Sequence, residues 1–219
     1  MNPISDFISF CEMFQDGTIE IKFFIGSPLT PMVYILQSDK IKKNTTYIAA
    51  MSGAWNGEQN LLGMNFNNAV DYDASVFFFN LLQKKELPNA VCILSTTETC
   101  KNGPFTLTPD RIRNLNFKNE RSRELTASNI EQWANFKMGK TQPLYDVTIL
   151  LSQEELKKNV SLIEVEVIFD SSSSKKITIG SKKNISMNLF PKSGTNVFAT
   201  AENNFTPECD NSFLRLFFS

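Results

Sequence analysis

The feature that most constrains the fold is a series of short apolar segments separated by turn residues. In the last third, residues 163–169 alternate apolar side chains with glutamates, and further alternating runs lie at 177–179, 185–189 and 197–199. The starts of these runs lie eight to fourteen residues apart. Alternation with period two is typical of a half-buried strand, and such short connections favour antiparallel neighbours. This part of the chain therefore predicts an antiparallel sheet.

The first two thirds contain further candidate strands. They are predicted at 19–25, 32–37, 45–51, 90–95 and 105–107, each next to Gly, Pro or Asn turn signals. The segment 74–82 is apolar under either period, and we favour a strand over a helix there. A last apolar run, 213–218, is expected to pair inside a sheet or to dock on a partner.

Two segments predict helices. Residues 3–16 place Phe7, Cys11 and Phe14 on one face, after the cap residue Asn2 and before a break at Gly17. Residues 128–138 open with a capping box and end before Gly139.

These elements predict a mainly β fold. We expect one domain over 1–219, an antiparallel β-sandwich resembling a jelly roll. The helix 3–16 and an Arg-rich connector plus helix over 110–140 would be attachments.

Several classes of site are excluded by the residue types present. The chain of 219 residues contains no histidine, which excludes Ser-His-Asp and Cys-His catalysis and any His-containing metal site. Its four cysteines are too widely spaced for a zinc ribbon, and neither a Walker motif nor a dinucleotide-binding motif occurs. The expectation is therefore no cofactor and no metal.

The start of the chain resembles no secretory signal, and no segment is apolar over the length of a membrane span. We expect a protein of the cytoplasm or of a virion, with free thiols. Whether Cys92 and Cys100 pair across a hairpin stays open.

Aromatic residues suggest a ligand surface. Trp55 lies in a loop rich in Gly and Asn, where large aromatic side chains are uncommon, and Tyr47 and Tyr72 are the other candidates. The acidic pair Asp71 and Asp73 is typical of a solvated strand face, and the remaining ligands of a calcium loop are missing.

Three segments could connect subunits: the first helix, the terminal apolar run, and the segment 110–124, which holds four of the five arginines. Arginine recognises carboxylate or phosphate groups, but the net charge of -1 argues against nucleic acid as the partner. The interface candidates are Phe7, Cys11, Phe14, Arg111, Arg113, Arg121, Arg123, Phe213, Leu214, Leu216, Phe217 and Phe218.

The function that this pattern favours is a non-enzymatic structural or assembly protein acting through protein–protein contacts. Its partners would be further copies of itself, as a homo-oligomer, or other structural proteins, and a viral capsid or virion component is one form of this hypothesis. The alternative is a carbohydrate- or peptide-binding β-sandwich module that uses Trp55. An enzyme based on carboxylates or a lone cysteine has no supporting motif.

Overall fold

The computed structural model of the chain describes residues 2–15, 17–55, 65–101, 106–107, 119–136, 142–143, 149, 160–170 and 186–201. Its helices are α1 (Pro3–Glu12), α2 (Thr30–Ile35), α3 (Asp39–Asn44), α4 (Phe66–Val70), α5 (Tyr72–Gln83), α6 (Thr97–Lys101) and α7 (Glu120–Phe136). Its strands are β1 (Ile21–Ile25), β2 (Thr45–Met51), β3 (Val91–Ser95), β4 (Thr106–Leu107), β5 (Gln142–Pro143), β6 (Leu162–Asp170), β7 (Ser186–Pro191) and β8 (Val197–Thr200).

Six of these strands form one mixed sheet in the order β1-β2-β3-β8-β6-β7. The pairs β1–β2, β2–β3 and β3–β8 are parallel, whereas β6 is antiparallel to both β8 and β7. The short strands β4 and β5 form a separate antiparallel pair. The carboxyl ends of β1, β2, β3 and β8 consequently lie at one edge of the sheet.

The central strands are buried on both faces. Ile48 and Ala50 of β2 belong to the main core, whereas Ala49 and Met51 pack on the opposite face with Cys100 and other residues. An apolar run without alternation is what a parallel strand covered on both sides requires.

The fold class predicted from the sequence is wrong. The structure is a mixed α/β fold with a largely parallel sheet, not an antiparallel sandwich or jelly roll. The strands predicted at 19–25, 45–51, 90–95, 163–169, 185–189 and 197–199 are present with small shifts of their ends. The error lies in the connections, because two predicted strands are helices that carry the chain between parallel neighbours.

The first of these helices is α2 (Thr30–Ile35), which overlaps the predicted strand 32–37. Pro31 lies in its first turn, where the missing N–H has no helical partner to lose. Met32 and Leu36, four residues apart, are both buried, which matches the helical period.

The second is α5, in the segment 74–82. The Asp71 side chain caps it by accepting a hydrogen bond from the Ala74 N–H at 3.1 Å. Phe78 and Phe79 are both buried in the main core, whereas a strand would direct them to opposite faces. The apolar density of this segment concealed its helical face.

The two predicted helices are confirmed with different bounds. In α1, the Asn2 side chain accepts the Ile4 N–H at 3.2 Å as expected, but the helix ends at Glu12. In α7, Asn119 is the cap, since its side chain accepts the Arg121 N–H at 2.9 Å, and the helix begins eight residues before Ser128.

Other predictions of the sequence lie outside the described residues or stay untested. The runs 177–179 and 213–218 belong to the first group, and the single domain over 1–219 to the second. Within the described ranges, no helix is long and apolar enough to cross a membrane. Cys11 and Cys92 are free thiols, so Cys92 is not paired with Cys100.

Candidate functional site at the carboxyl edge of the sheet

The parallel strands bring together chain segments that are far apart in sequence. β2 ends at Met51, β3 at Ser95 and β8 at Thr200, and the residues that follow each strand meet at the same edge. In open α/β sheets, ligands bind in the crevice outside the carboxyl ends of the strands. This edge is therefore the candidate binding site.

Most of the buried polar side chains in the described part of the chain lie at this edge. We call them the carboxyl-edge cluster; its members are Ser52, Asn65, Asn68, Ser95, Thr96, Thr97, Glu98, Thr99 and Thr200. All are hydroxyl or amide residues except Glu98. Because burying a polar group is costly unless it is hydrogen-bonded, such a concentration has to be held by specific partners.

The loop after β2 is held by a buried asparagine of α4. Asn68 accepts hydrogen bonds from the Ser52 hydroxyl at 2.9 Å and from the Gly53 N–H at 3.4 Å. Gly53 has a φ of +83°, a conformation that glycine adopts without strain. Its carbonyl accepts the Thr97 N–H at 3.2 Å, so the loop is tied to α4 and to α6.

Asparagines near the start of α4 tie it to the ends of the strands. Asn65 donates to the Thr97 hydroxyl and to the Met51 sulfur, each at 3.0 Å. The Asn67 side chain donates to the Met51 carbonyl at 3.2 Å and to the Gly26 carbonyl at 3.4 Å. These bonds connect α4 to the ends of β1, β2 and β3.

Three threonines join β3 to β8. The Thr96 N–H donates to the Thr200 hydroxyl at 3.0 Å, and the Thr96 and Thr99 hydroxyl oxygens lie 3.0 Å apart. The Thr200 hydroxyl donates to the Leu94 carbonyl at 3.4 Å. These hydroxyls are fully buried and bonded to one another, so they fix the geometry of the edge.

Glu98 is the acidic member of the cluster. It lies in the first turn of α6 and is 8% exposed, and it is the only buried charged residue in the part of the chain that the structure describes. A carboxyl group at this position in the chain can transfer a proton or orient a water molecule. No group of three or more Cys, Asp or Glu among the described residues is placed to hold a metal ion.

The three predicted ligand-surface aromatics lie in different surroundings. Trp55 is at the carboxyl edge, half-buried, and its indole N–H donates to the Thr200 carbonyl at 2.6 Å. Tyr47 packs on the second face of the sheet beside Phe24, with ring centroids 5.9 Å apart. Tyr72 begins α5 and contacts the main core. Of the three, Trp55 is the one whose side-chain hydrogen bond reaches a member of the carboxyl-edge cluster.

The described interface candidates are divided between core and surface. Phe7 packs against the main core, Cys11 is buried within it and half-buried Phe14 contacts the Phe10 ring. The side chains of Arg121 and Arg123 lie on the first turn of α7, where Arg123 forms an ion pair with Glu120. Arg111, Arg113, Phe213, Leu214, Leu216, Phe217 and Phe218 lie outside the described residues. A role in self-association stays a prediction for all of them.

Sequence reasoning missed the carboxyl-edge cluster. The available signal was polar residues directly after each buried run, at 52–53 and 96–99. In an antiparallel sandwich those segments are turns at separate ends, so the wrong topology concealed that they meet.

Comparison with known proteins identifies the fold. No protein-family model and no curated protein matches the chain. Among solved structures, 43 chains match. One is an inosine-guanosine nucleoside hydrolase, with a TM-score of 0.67 and 15% sequence identity over 97% of this chain. The chain spans 66% of that hydrolase, slightly less than two thirds. At this identity the likeness shows the fold, which resembles that of a nucleoside hydrolase.

This comparison overturns the function predicted from the sequence. The structural or assembly protein, with a capsid or virion component as one form, is wrong because the jelly roll on which it was based is absent. The carbohydrate- or peptide-binding β-sandwich fails for the same reason. The expectation of a non-enzymatic protein is corrected as well, since the matching fold belongs to a hydrolase.

Proposed function

We propose that the chain is a hydrolase that cleaves the N-glycosidic bond of a nucleoside bound at the carboxyl-edge cluster. The observation that carries this proposal is the concentration of buried hydroxyl and amide groups where the parallel strands end. The likeness to the inosine-guanosine nucleoside hydrolase supports it, because the two chains share a fold over 97% of this chain.

The chemistry of the cluster fits an uncharged, hydroxyl-rich substrate. Hydroxyl and amide side chains can both donate and accept hydrogen bonds, as the ribose hydroxyls and base edges of a nucleoside require. The buried residues at this edge include no Lys or Arg in the described part of the chain, and Glu98 would repel a phosphate. A nucleoside therefore suits this edge better than a nucleotide.

Glu98 is the residue to which we assign the proton transfer. In the hydrolysis, a water oxygen forms a bond to the anomeric carbon while the bond from that carbon to the base breaks. The electron pair of the broken bond stays on the base. Glu98 would accept the proton that the attacking water loses, a role often filled by histidine, which this chain lacks. The departing base would take its proton from solvent.

The test is a hydrolysis assay on the full chain with inosine and guanosine, in which the free base is quantified by chromatography. We expect base release, and weaker binding of the corresponding 5′-monophosphates in calorimetry. Glu98→Gln should lower kcat by about 100-fold or more while nucleoside binding remains. Glu86→Gln, a change at an exposed glutamate after α5, is the matched control.

Two results would contradict the proposal. Absence of both binding and base release across a panel of purine and pyrimidine nucleosides would show that this edge is not a nucleoside site. Equal kcat values for Glu98→Gln and Glu86→Gln would remove the assignment of Glu98.

A further inference from the structure

We propose that Asn68 is a positioning residue, which fixes the β2 loop (Ser52, Gly53, Ala54 and Trp55) in the conformation that receives the ligand. The effect of Asn68 on KM rests on the proposed nucleoside hydrolysis, whereas the effect of Asn68 on the conformation of the loop does not.

The contacts of Asn68 determine which way its amide points. Two donors, the Ser52 hydroxyl and the Gly53 N–H, converge on Oδ1, so this atom is the carbonyl oxygen. The amide nitrogen donates to the Ser75 hydroxyl of α5 at 3.3 Å. Asn68 is 0% exposed. Every polar atom of its side chain thus has a protein partner, and none is left over for a ligand of its own.

The other attachments of the loop do not replace Asn68. The Ser52 N–H donates to the Ser95 carbonyl at 3.2 Å, the Thr97 N–H donates to the Gly53 carbonyl, and the Trp55 indole donates to the Thr200 carbonyl. None of these bonds involves the Ser52 hydroxyl or the Gly53 N–H. Without Asn68, two buried donors would lack a partner, a cost of roughly 1–3 kcal/mol for each group that stays buried. The loop would therefore move to reach water, and Trp55 would move with it.

Trp55 provides a direct readout of this movement. The chain contains two tryptophans, so Trp133→Phe leaves Trp55 as the sole tryptophan and its emission reports on the loop. In this background we expect Asn68→Ala to shift Trp55 emission to the red and to raise acrylamide quenching. In the hydrolysis assay, KM should rise about tenfold with a smaller change in kcat.

The matched control lies at the opposite end of the same strand. Thr45 is also 0% exposed, and its hydroxyl donates to the Ile41 carbonyl at 2.7 Å. Thr45→Val should lower Tm but leave Trp55 emission, quenching and KM unchanged. This control separates a general loss of stability from displacement of the loop.

A milder variant covers the case in which Asn68→Ala does not fold. Ser75→Ala removes the hydroxyl that accepts a hydrogen bond from the Asn68 amide nitrogen. It also places a good helix former in α5, so the variant should fold. We expect an intermediate rise in Trp55 quenching. Unchanged quenching and emission in every folded variant would overturn the proposal. If no nucleoside is hydrolysed, the fluorescence results still decide the role of Asn68, so the failure of one proposal is distinguishable from the failure of the other.

Discussion

A contact between two phenylalanines tests how the helical layer and the last strands are joined. Phe79 of α5 and Phe169 of β6 have ring centroids 5.9 Å apart at an interplanar angle of 50°. After Glu164, β6 leaves β8 and pairs with β7, and this part of the strand packs on α5. Phe79 is 1% exposed, and Phe169 is partly buried against the same core.

The two substitutions should cost different amounts and should not be additive. Truncation of a fully buried phenylalanine leaves a cavity, so we expect Phe79→Ala to lower the free energy of unfolding by about 3–5 kcal/mol. Phe169→Ala should cost about 1–3 kcal/mol, because part of its ring already meets solvent. The double variant should lose about 0.5–1.5 kcal/mol less than the sum, which is the typical coupling of an aromatic pair.

Urea unfolding followed by far-UV circular dichroism measures the free energy of unfolding of the wild type, the two single variants and the double variant, which together form a double-mutant cycle. Phe10, which is 56% exposed on α1, provides the control partner, and its truncation should add to that of Phe79 within about 0.5 kcal/mol. A Phe79→Ala cost below about 1 kcal/mol would show that this side chain is not in the core. Zero coupling between Phe79 and Phe169 would show that these two rings do not contact each other, which would refute this part of the packing of β6 on α5.

Three further predictions concern backbone strain and ionisation. Gly53→Ala should lower stability by about 1–2 kcal/mol in thermal unfolding, because φ is +83° and a Cβ would lie 3.2 Å from the Leu189 side chain. Backbone N–H groups, chiefly that of Asn196, donate hydrogen bonds to the Glu164 carboxylate and lower its pKa, so stability should be lost as pH falls below the ordinary value of 4.5. In urea unfolding across that pH range, Glu164→Gln should lessen this loss of stability. Burial raises the pKa of Tyr47 to about 12, so the free energy of unfolding should fall between pH 10 and 12. In an ultraviolet titration of tyrosine ionisation, Tyr47→Phe should remove the component that titrates at this high pH.

The strands were easier to predict from the sequence than their arrangement. β6 shows clear alternation, and β2 and β3 are continuous apolar runs between turn signals, so local pattern suffices to find them. The helix α5 was missed because Val76 and Phe77 fill its half-buried side with apolar residues and leave little contrast. Strand order depends on which distant segments pair, and the sequence pattern does not contain that information.

The error in topology explains the error in function. Ser52 and Thr200 are polar residues next to strand ends, and each alone looks like an ordinary turn residue. Only when β2, β3 and β8 run parallel do their carboxyl ends meet, and the hydroxyls then become buried neighbours. Burial changes the energetics of these hydroxyls, because a solvated threonine hydroxyl bonds to water at no cost in free energy, whereas a buried one must find a hydrogen-bond partner in the protein. The parallel pairing of β2, β3 and β8 therefore creates the buried polar site, and the residue types alone do not reveal it.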